Sequence, residues 1–122
     1  MDKWDVSQVT DMIALFKETK LYPPNISAWD VSSVTDMSQM FYLDHGSYRG
    51  GTMPDISGWD VSQVTNMNHM FYGQINYNGN LSSWNVGKVT DFRGMFRRCI
   101  SFNGDLSNWD VSQATDLSLI HI

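Results

Sequence analysis

The sequence predicts a right-handed α/β solenoid, with short parallel strands along one face and short helices along the other. Three observations lead there. A nine-residue phrase recurs five times, as WDVSQVTDM at Trp4, WDVSSVTDM at Trp29, WDVSQVTNM at Trp59, WNVGKVTDF at Trp84 and WDVSQATDL at Trp109. Its tryptophans are spaced by 25, 30, 25 and 25 residues, and a fixed period of that length marks supersecondary units stacked on their neighbours. Within each unit an alternating Trp-x-Val precedes Met-x-x-Met-Phe, so the apolar spacing changes from that of a strand to that of a helical turn.

Five repeats follow, over 1–25, 26–55, 56–80, 81–105 and a partial 106–116. In the third, Ile56, Trp59 and Val61 fit the leucine-rich-repeat spacing L-x-x-L-x-L, as do Ile26, Trp29 and Val31, then Leu81, Trp84 and Val86, then Leu106, Trp109 and Val111. Alternation puts Trp and Val on one side of a strand, and five tryptophans require that side to face inward. Strands are therefore expected near 27–31, 57–61, 82–86 and 107–111, with Asp60 and its equivalents outward. Thr65 reads as a helix N-cap, followed by an apolar stripe of Met67, Met70 and Phe71. The matching stripes are Met12, Leu15, Phe16; Met37, Met40, Phe41; and Phe92, Met95, Phe96. A core role for these methionines outweighs a cofactor site, because a flexible thioether fills narrow spaces. Tyr77-Asn-Gly-Asn and Phe102-Asn-Gly-Asp read as the turns that return the chain to the next strand. Repeat two is five residues longer than its neighbours, with the extra length inside His45–Pro54, and such insertions loop out on one face.

Composition narrows the function. The net charge of −5 and pI near 4.8 argue against nucleic acid or an anionic membrane as partner. Arg93, Arg97 and Arg98 are the one local basic cluster and read as a solvated face. No apolar run approaches the roughly 20 residues of a membrane span, and MDKWDVS lacks the layout of a signal peptide. Cys99 stands alone, which excludes an internal disulfide or a cysteine-based zinc site and suggests a small buried residue. His45, His69 and His121 fall in three different repeat registers, so no Ser-His-Asp constellation is indicated, and no Gly-rich phosphate loop is present. No catalytic residue, cofactor or metal ligand is assigned. Asp5, Asp30, Asp60, Asn85 and Asp110 form an outward ladder. Cation binding is one reading of it; side-chain-to-backbone hydrogen bonding is the other, and Asn85 favours the second.

Positions that vary between repeats are released from the stacking requirement. They include Gln8, Ser33, Gln63, Lys88 and Gln113, the pairs Ser38-Gln39, Asn68-His69 and Arg93-Gly94, and the segments 17–20, 42–45, 72–75 and 97–100. Partner recognition and surface drift both account for such variation. The candidate partner-binding residues are Gln39, Tyr42, His45, Tyr48, Arg49, His69, Tyr72, Gln74, Arg93 and Arg97.

The phrase WDVSxVTDMxxMF followed by F/Y-N-G-D/N-I/L-S-x-W resembles the BspA-like surface repeat, a relative of the leucine-rich repeat, over residues 1–116. The resemblance implies a leucine-rich-repeat-like fold and a place on the cell surface or outside the cell, as in bacterial surface lipoproteins. It also implies a non-catalytic module that binds a protein or extracellular-matrix ligand in the manner of an adhesin. A structural spacer or stalk, and an accessory repeat region of a secreted enzyme, are the alternatives. Residues 117–122, LSLIHI, break the pattern, and read back as CTG TCT CTT ATA CAC ATC they resemble a sequencing-library adapter. The chain is thus expected to be a fragment of a longer protein with a non-native tail. Uncapped repeat ends are expected to expose apolar edges.

Overall fold

A computed structural model of the chain describes residues 5–19, 25–44 and 53–118. Successive repeats lie side by side and in register, but the α/β solenoid does not form. Among the described residues the only helix is a single 3-10 turn, Ile26–Ala28. The only β pairing among them is four isolated parallel bridges, Asp11 with Asp36, Asp36 with Asn66, Asn66 with Asp91 and Asp91 with Asp116. The described residues therefore form neither a sheet face nor a helix face, and the leucine-rich-repeat-like arrangement of strands and helices is corrected accordingly.

Local hydrogen bonding is what defeats the strands at 27–31, 57–61, 82–86 and 107–111. The Trp59 amide closes a turn on the Ile56 carbonyl at 3.1 Å, and the Val64 amide closes another on Val61 at 3.0 Å. Between them the Asp60 carboxylate accepts the Ser62 amide at 3.0 Å and the Ser62 hydroxyl at 2.6 Å. Asp and Ser compete with the sheet for backbone groups in this way, so the chain bends every few residues. Trp84–Val89 and Trp109–Ala114 repeat these turns.

Threonine makes the contact between repeats. The Thr65 amide and hydroxyl both donate to the Thr35 carbonyl, at 2.7 and 3.2 Å. Thr35 does the same to Thr10, Thr90 to Thr65 and Thr115 to Thr90. Thr65 is therefore a rung between repeats and not a helix cap.

The Met-x-x-Met-Phe segment is a chain of turns. Its third residue is left-handed in the repeats: Ala14 at φ 56°, Gln39 at 57°, His69 at 53° and Gly94 at 63°. That backbone ends any α-helix and suits the third position of a type II turn. The Met40 amide accordingly reaches Met37 at 3.2 Å, and Met70 reaches Met67 at 3.2 Å. Alternate amides point to the next repeat instead: Met37 to the Asn66 carbonyl, Gln39 to Asn68, Phe41 to Met70 and Leu43 to Tyr72, at 2.8–3.0 Å. In repeats two and three the amides thus donate three residues back or one repeat forward, except at Ser38 and Asn68, which donate to the side-chain oxygens of Asp36 and Asn66 two residues back. The i, i+3, i+4 spacing predicted a helix; the turns satisfy the same spacing and still deliver Met37, Met40 and Phe41 to the interior.

The core is one continuous cluster along the repeats. Phe16, Phe41, Phe71 and Phe96 stack in a column with centroids 5.7, 5.7 and 5.6 Å apart. Trp29, Trp59, Trp84 and Trp109 pack against these rings in turn, at 5.8–6.3 Å. Trp59, Trp84 and Trp109 are buried, and Val31, Val61 and Val86 share their interior side as the alternation required. Val34, Val64 and Val89, each five residues after a Trp, are fully buried as well and add to the predicted core. Leu15 departs from its stripe and is 47% exposed. Ile13 and Leu117 are exposed too.

Candidate functional site

The turns bring one register of variable residues into a column. The residue after each core phenylalanine is Lys17, Tyr42, Tyr72 and Arg97 in successive repeats. Because each phenylalanine stacks on the next, the side chains that follow also stand one above another. Tyr42 and Tyr72 stack with centroids 4.6 Å apart and planes 9° from parallel. Lys17 Nζ lies 4.8 Å from the Tyr42 centroid, over the ring, and donates to Gln39 Oε1 at 3.1 Å. An ammonium over an aromatic face is attracted by the ring quadrupole.

The left-handed residues supply the adjacent column. His69 sits beside both tyrosines, at 6.4 Å from Tyr42 and 5.6 Å from Tyr72. Its Nδ1 pairs with Asn68 Oδ1, and Asn68 Nδ2 donates to Asp91 Oδ2 at 3.1 Å. That orientation of the amide puts the imidazole proton on Nδ1 and leaves Nε2 as an acceptor. Burial, and then the charges of Arg93 and Arg97, hold the His69 pKa below its ordinary value against the pull of Asp91, so the ring is neutral at pH 7. Gly94 lets the ring lie close: a Cβ there would stand 2.6 Å from the imidazole. Arg93 approaches Asp116 at 4.0 Å, and Arg97 is exposed. Burial, followed by the nearby charge of Asp44, raises the Tyr42 pKa, against Arg98, and keeps the phenol protonated.

Gln39, Tyr42, His69, Tyr72, Arg93 and Arg97 therefore converge on one face, joined by Lys17 and Asn68. The sequence reading had placed those two only among variable positions; their registers opposite Tyr42 and His69 were the available signal. Gln74 lies deeper than these: it is buried, and its Nε2 donates to the Phe41 carbonyl at 2.7 Å, which braces the core. Its counterpart one repeat on is Cys99, whose thiol reaches the Phe71 carbonyl at 2.9 Å. Burial pushes that thiol up to about 12, with backbone hydrogen bonds from Gln74 and Gly73 opposing, which leaves it unreactive. His45, Tyr48 and Arg49 lie outside the described residues.

The aspartate ladder has a structural employment. Asp5, Asp30, Asp60 and Asp110 each accept the amide of a serine two residues on, and Asn85 accepts that of Gly87. A second ladder at Asp55, Asn80 and Asp105 does the same for Ser57, Ser82 and Ser107. Among the described residues no group of three or more His, Cys, Asp or Glu is placed to hold a metal ion. No helix among them is long and apolar enough to cross a membrane.

The family model described as "Mycoplasma protein of unknown function, DUF285" matches residues 1–47 and 46–121. The chain belongs to this family. No curated protein and no solved structure matches it. The two matched stretches meet within the longer second repeat, so the Lys17–Tyr42 contact falls in the first DUF285 stretch and Tyr72 and Arg97 in the second.

Proposed function

We propose that this DUF285 chain is a non-catalytic interaction module of a cell-surface or extracellular protein, which binds a protein or matrix partner through the Lys17–Tyr42–Tyr72–Arg97 face. The BspA-like surface-repeat resemblance supplies the location and the class of partner. The observation that carries the reading is a division of labour among residues. Those that recur (Trp, Val, Thr, Met, Phe and the Asp–Ser pairs) are consumed by the core and the hydrogen bonds within and between repeats. Of the residues that vary, Lys17, Gln39 and His69 converge beside two stacked tyrosines. Tyrosine and arginine are the residue types that most often anchor protein interfaces, and a rigid aromatic pair presents contact area at little entropic cost.

The test is adhesion of the full chain to surfaces coated with fibronectin, laminin or collagen. Tyr42→Ala/Tyr72→Ala is expected to reduce binding to at least one of them by about tenfold or more, with the melting transition retained. Binding to none of the coatings, or binding unchanged in the double variant, contradicts the reading and favours a spacer.

A further inference from the structure

Outside the tyrosine face, a gap lies between the turns that precede Trp59 and Trp84. In repeats three and four the turns of this kind carry Asn78-Gly79 and Asn103-Gly104, and the two segments touch. The Asn103 amide donates to Asn78 Oδ1 at 2.8 Å, and a Cβ on Gly104 would stand 3.3 Å from the Gly79 carbonyl oxygen. Repeat two has Met53-Pro54 in that register. Methionine has no carboxamide to receive the Asn78 amide, and proline has no amide to donate. The contact is accordingly missing, and among the described residues the Asn78 amide has no hydrogen-bond acceptor. In its place lies a groove of about 620 Å³, between Met53, Pro54 and Asp55 on one wall and Asn76, Asn78 and Asn80 on the other.

The polar groups facing it are those of an unfinished pairing. Asn78 offers its backbone amide, and its carboxamide nitrogen is not committed by the bond that its oxygen receives from Asn103. Asn80 Oδ1 and Asp55 Oδ1 are each held by a serine two residues on, at 2.7–3.0 Å, which leaves Asn80 Nδ2 and Asp55 Oδ2 available. An apolar rim, Met53 and Pro54, completes the site.

We propose that this groove binds an extended peptide segment of a polypeptide partner, one carrying an asparagine whose side-chain oxygen accepts the Asn78 amide. On the opposite edge of the same segment this chain already docks in that way: the Asn103 amide donates to Asn78 Oδ1 and the Phe102 ring stacks on Tyr77. The asparagine of the partner peptide stands to the Asn78 amide as Asn78 stands to the Asn103 amide, which sets the register. The site shares no residue with the tyrosine face, and the two stand or fall separately.

The probe is the synthetic peptide Phe-Asn-Gly-Asp-Leu-Ser, the sequence of residues 102–107, titrated into the isotopically labelled full chain. Saturable amide shifts are expected at Asp55, Asn78 and Gly79. Met53→Asn/Pro54→Gly restores an Asn-Gly pair and closes the gap, and is expected to weaken peptide binding by about tenfold without lowering the melting temperature. Replacing the peptide's asparagine with alanine is expected to weaken binding similarly, a result that does not depend on any variant folding. Tyr42→Ala/Tyr72→Ala is expected to leave it unchanged. Absence of saturable shifts, equal affinity for the alanine peptide, or shifts produced by N-acetylglucosamine and not by the peptide would each overturn the proposal.

Discussion

The indole Nε1–H of Trp59 donates to the Ile26 carbonyl at 3.0 Å, and that same oxygen accepts the Trp29 amide at 3.0 Å. One acceptor therefore closes a turn within its repeat and anchors the tryptophan of the next. Trp84 repeats the bond to Ile56 at 3.1 Å, and Trp109 to Leu81 at 3.0 Å. The burial of Trp59 at 4% and Trp84 at 4% exposure is thus accompanied by full use of the ring nitrogen, as a buried indole requires.

Removing that donor while retaining an aromatic ring separates the two contributions. Trp84→Phe is expected to cost about 1–2 kcal/mol for the lost bond, and Trp84→Ala about 3–5 kcal/mol, because a cavity is added. Urea unfolding followed by circular dichroism measures both, and equal losses would mean that the hydrogen bond contributes little.

Glycine substitutions should follow local geometry. Gly58 has nothing within 4 Å of an added Cβ, whereas Gly94, at φ 63°, would meet His69 at 2.6 Å and Gly73, at φ 80°, would meet the Leu43 carbonyl oxygen at 1.7 Å. Gly58→Ala is expected to be neutral or slightly stabilising. Gly94→Ala is expected to cost about 1–3 kcal/mol through strain at a left-handed position, and Gly73→Ala more, since backbone cannot step aside as an imidazole can. Thermal melts of the three variants check the order.

Acid should loosen the fold. Serine hydroxyl and amide groups hold Asp5, Asp30, Asp60 and Asp110 below the usual carboxylate pKa. A folded-state pKa below the unfolded value gives stability that is present above the unfolded pKa, about 3.9, and lost as pH falls through the folded pKa. Thermal stability is therefore expected to fall as pH drops below about 4. Ser32→Ala/Ser62→Ala/Ser112→Ala should move the acid midpoint to higher pH. An unmoved midpoint would show that these hydrogen bonds do not favour the ionised state.

Cys99 reports on opening. With its pKa pushed up to about 12 by burial, the native thiol is expected to resist a thiol-specific disulfide reagent at pH 8 and to react promptly in denaturant. Rapid labelling of the native chain would place the residue at the surface.

What the sequence made legible was whatever one repeat determines by itself. Inward Trp and Val, the Met and Phe interior and the outward Asp all follow from period and burial. The backbone path did not, because Met67, Met70 and Phe71 have the same spacing in a helical turn and in two successive tight turns. The choice is made by bonds such as Phe71 to Met95, 24 residues apart, which no local pattern contains. Gly94 marks a left-handed position that Ala14, Gln39 and His69 occupy without glycine in the other repeats, and Gly73 marks one that Glu18 and Arg98 occupy. At the site, the shared register of Tyr42 and Tyr72 was readable. The burial of Gln74 is not what its polarity suggests, while its counterpart Cys99 points to it.

The most direct test is scalar coupling across hydrogen bonds in the labelled chain, read from the Phe71 amide nitrogen. Stacked turns send that amide to the Met95 carbonyl, at 3.0 Å, and a cross-peak joining Phe71 nitrogen to the Met95 carbonyl carbon is the expected result. A helix would instead direct it to Met67, four residues back. A Phe71–Met67 cross-peak would contradict the stacked turns, and with them the column that places Lys17, Tyr42, Tyr72 and Arg97 on one face.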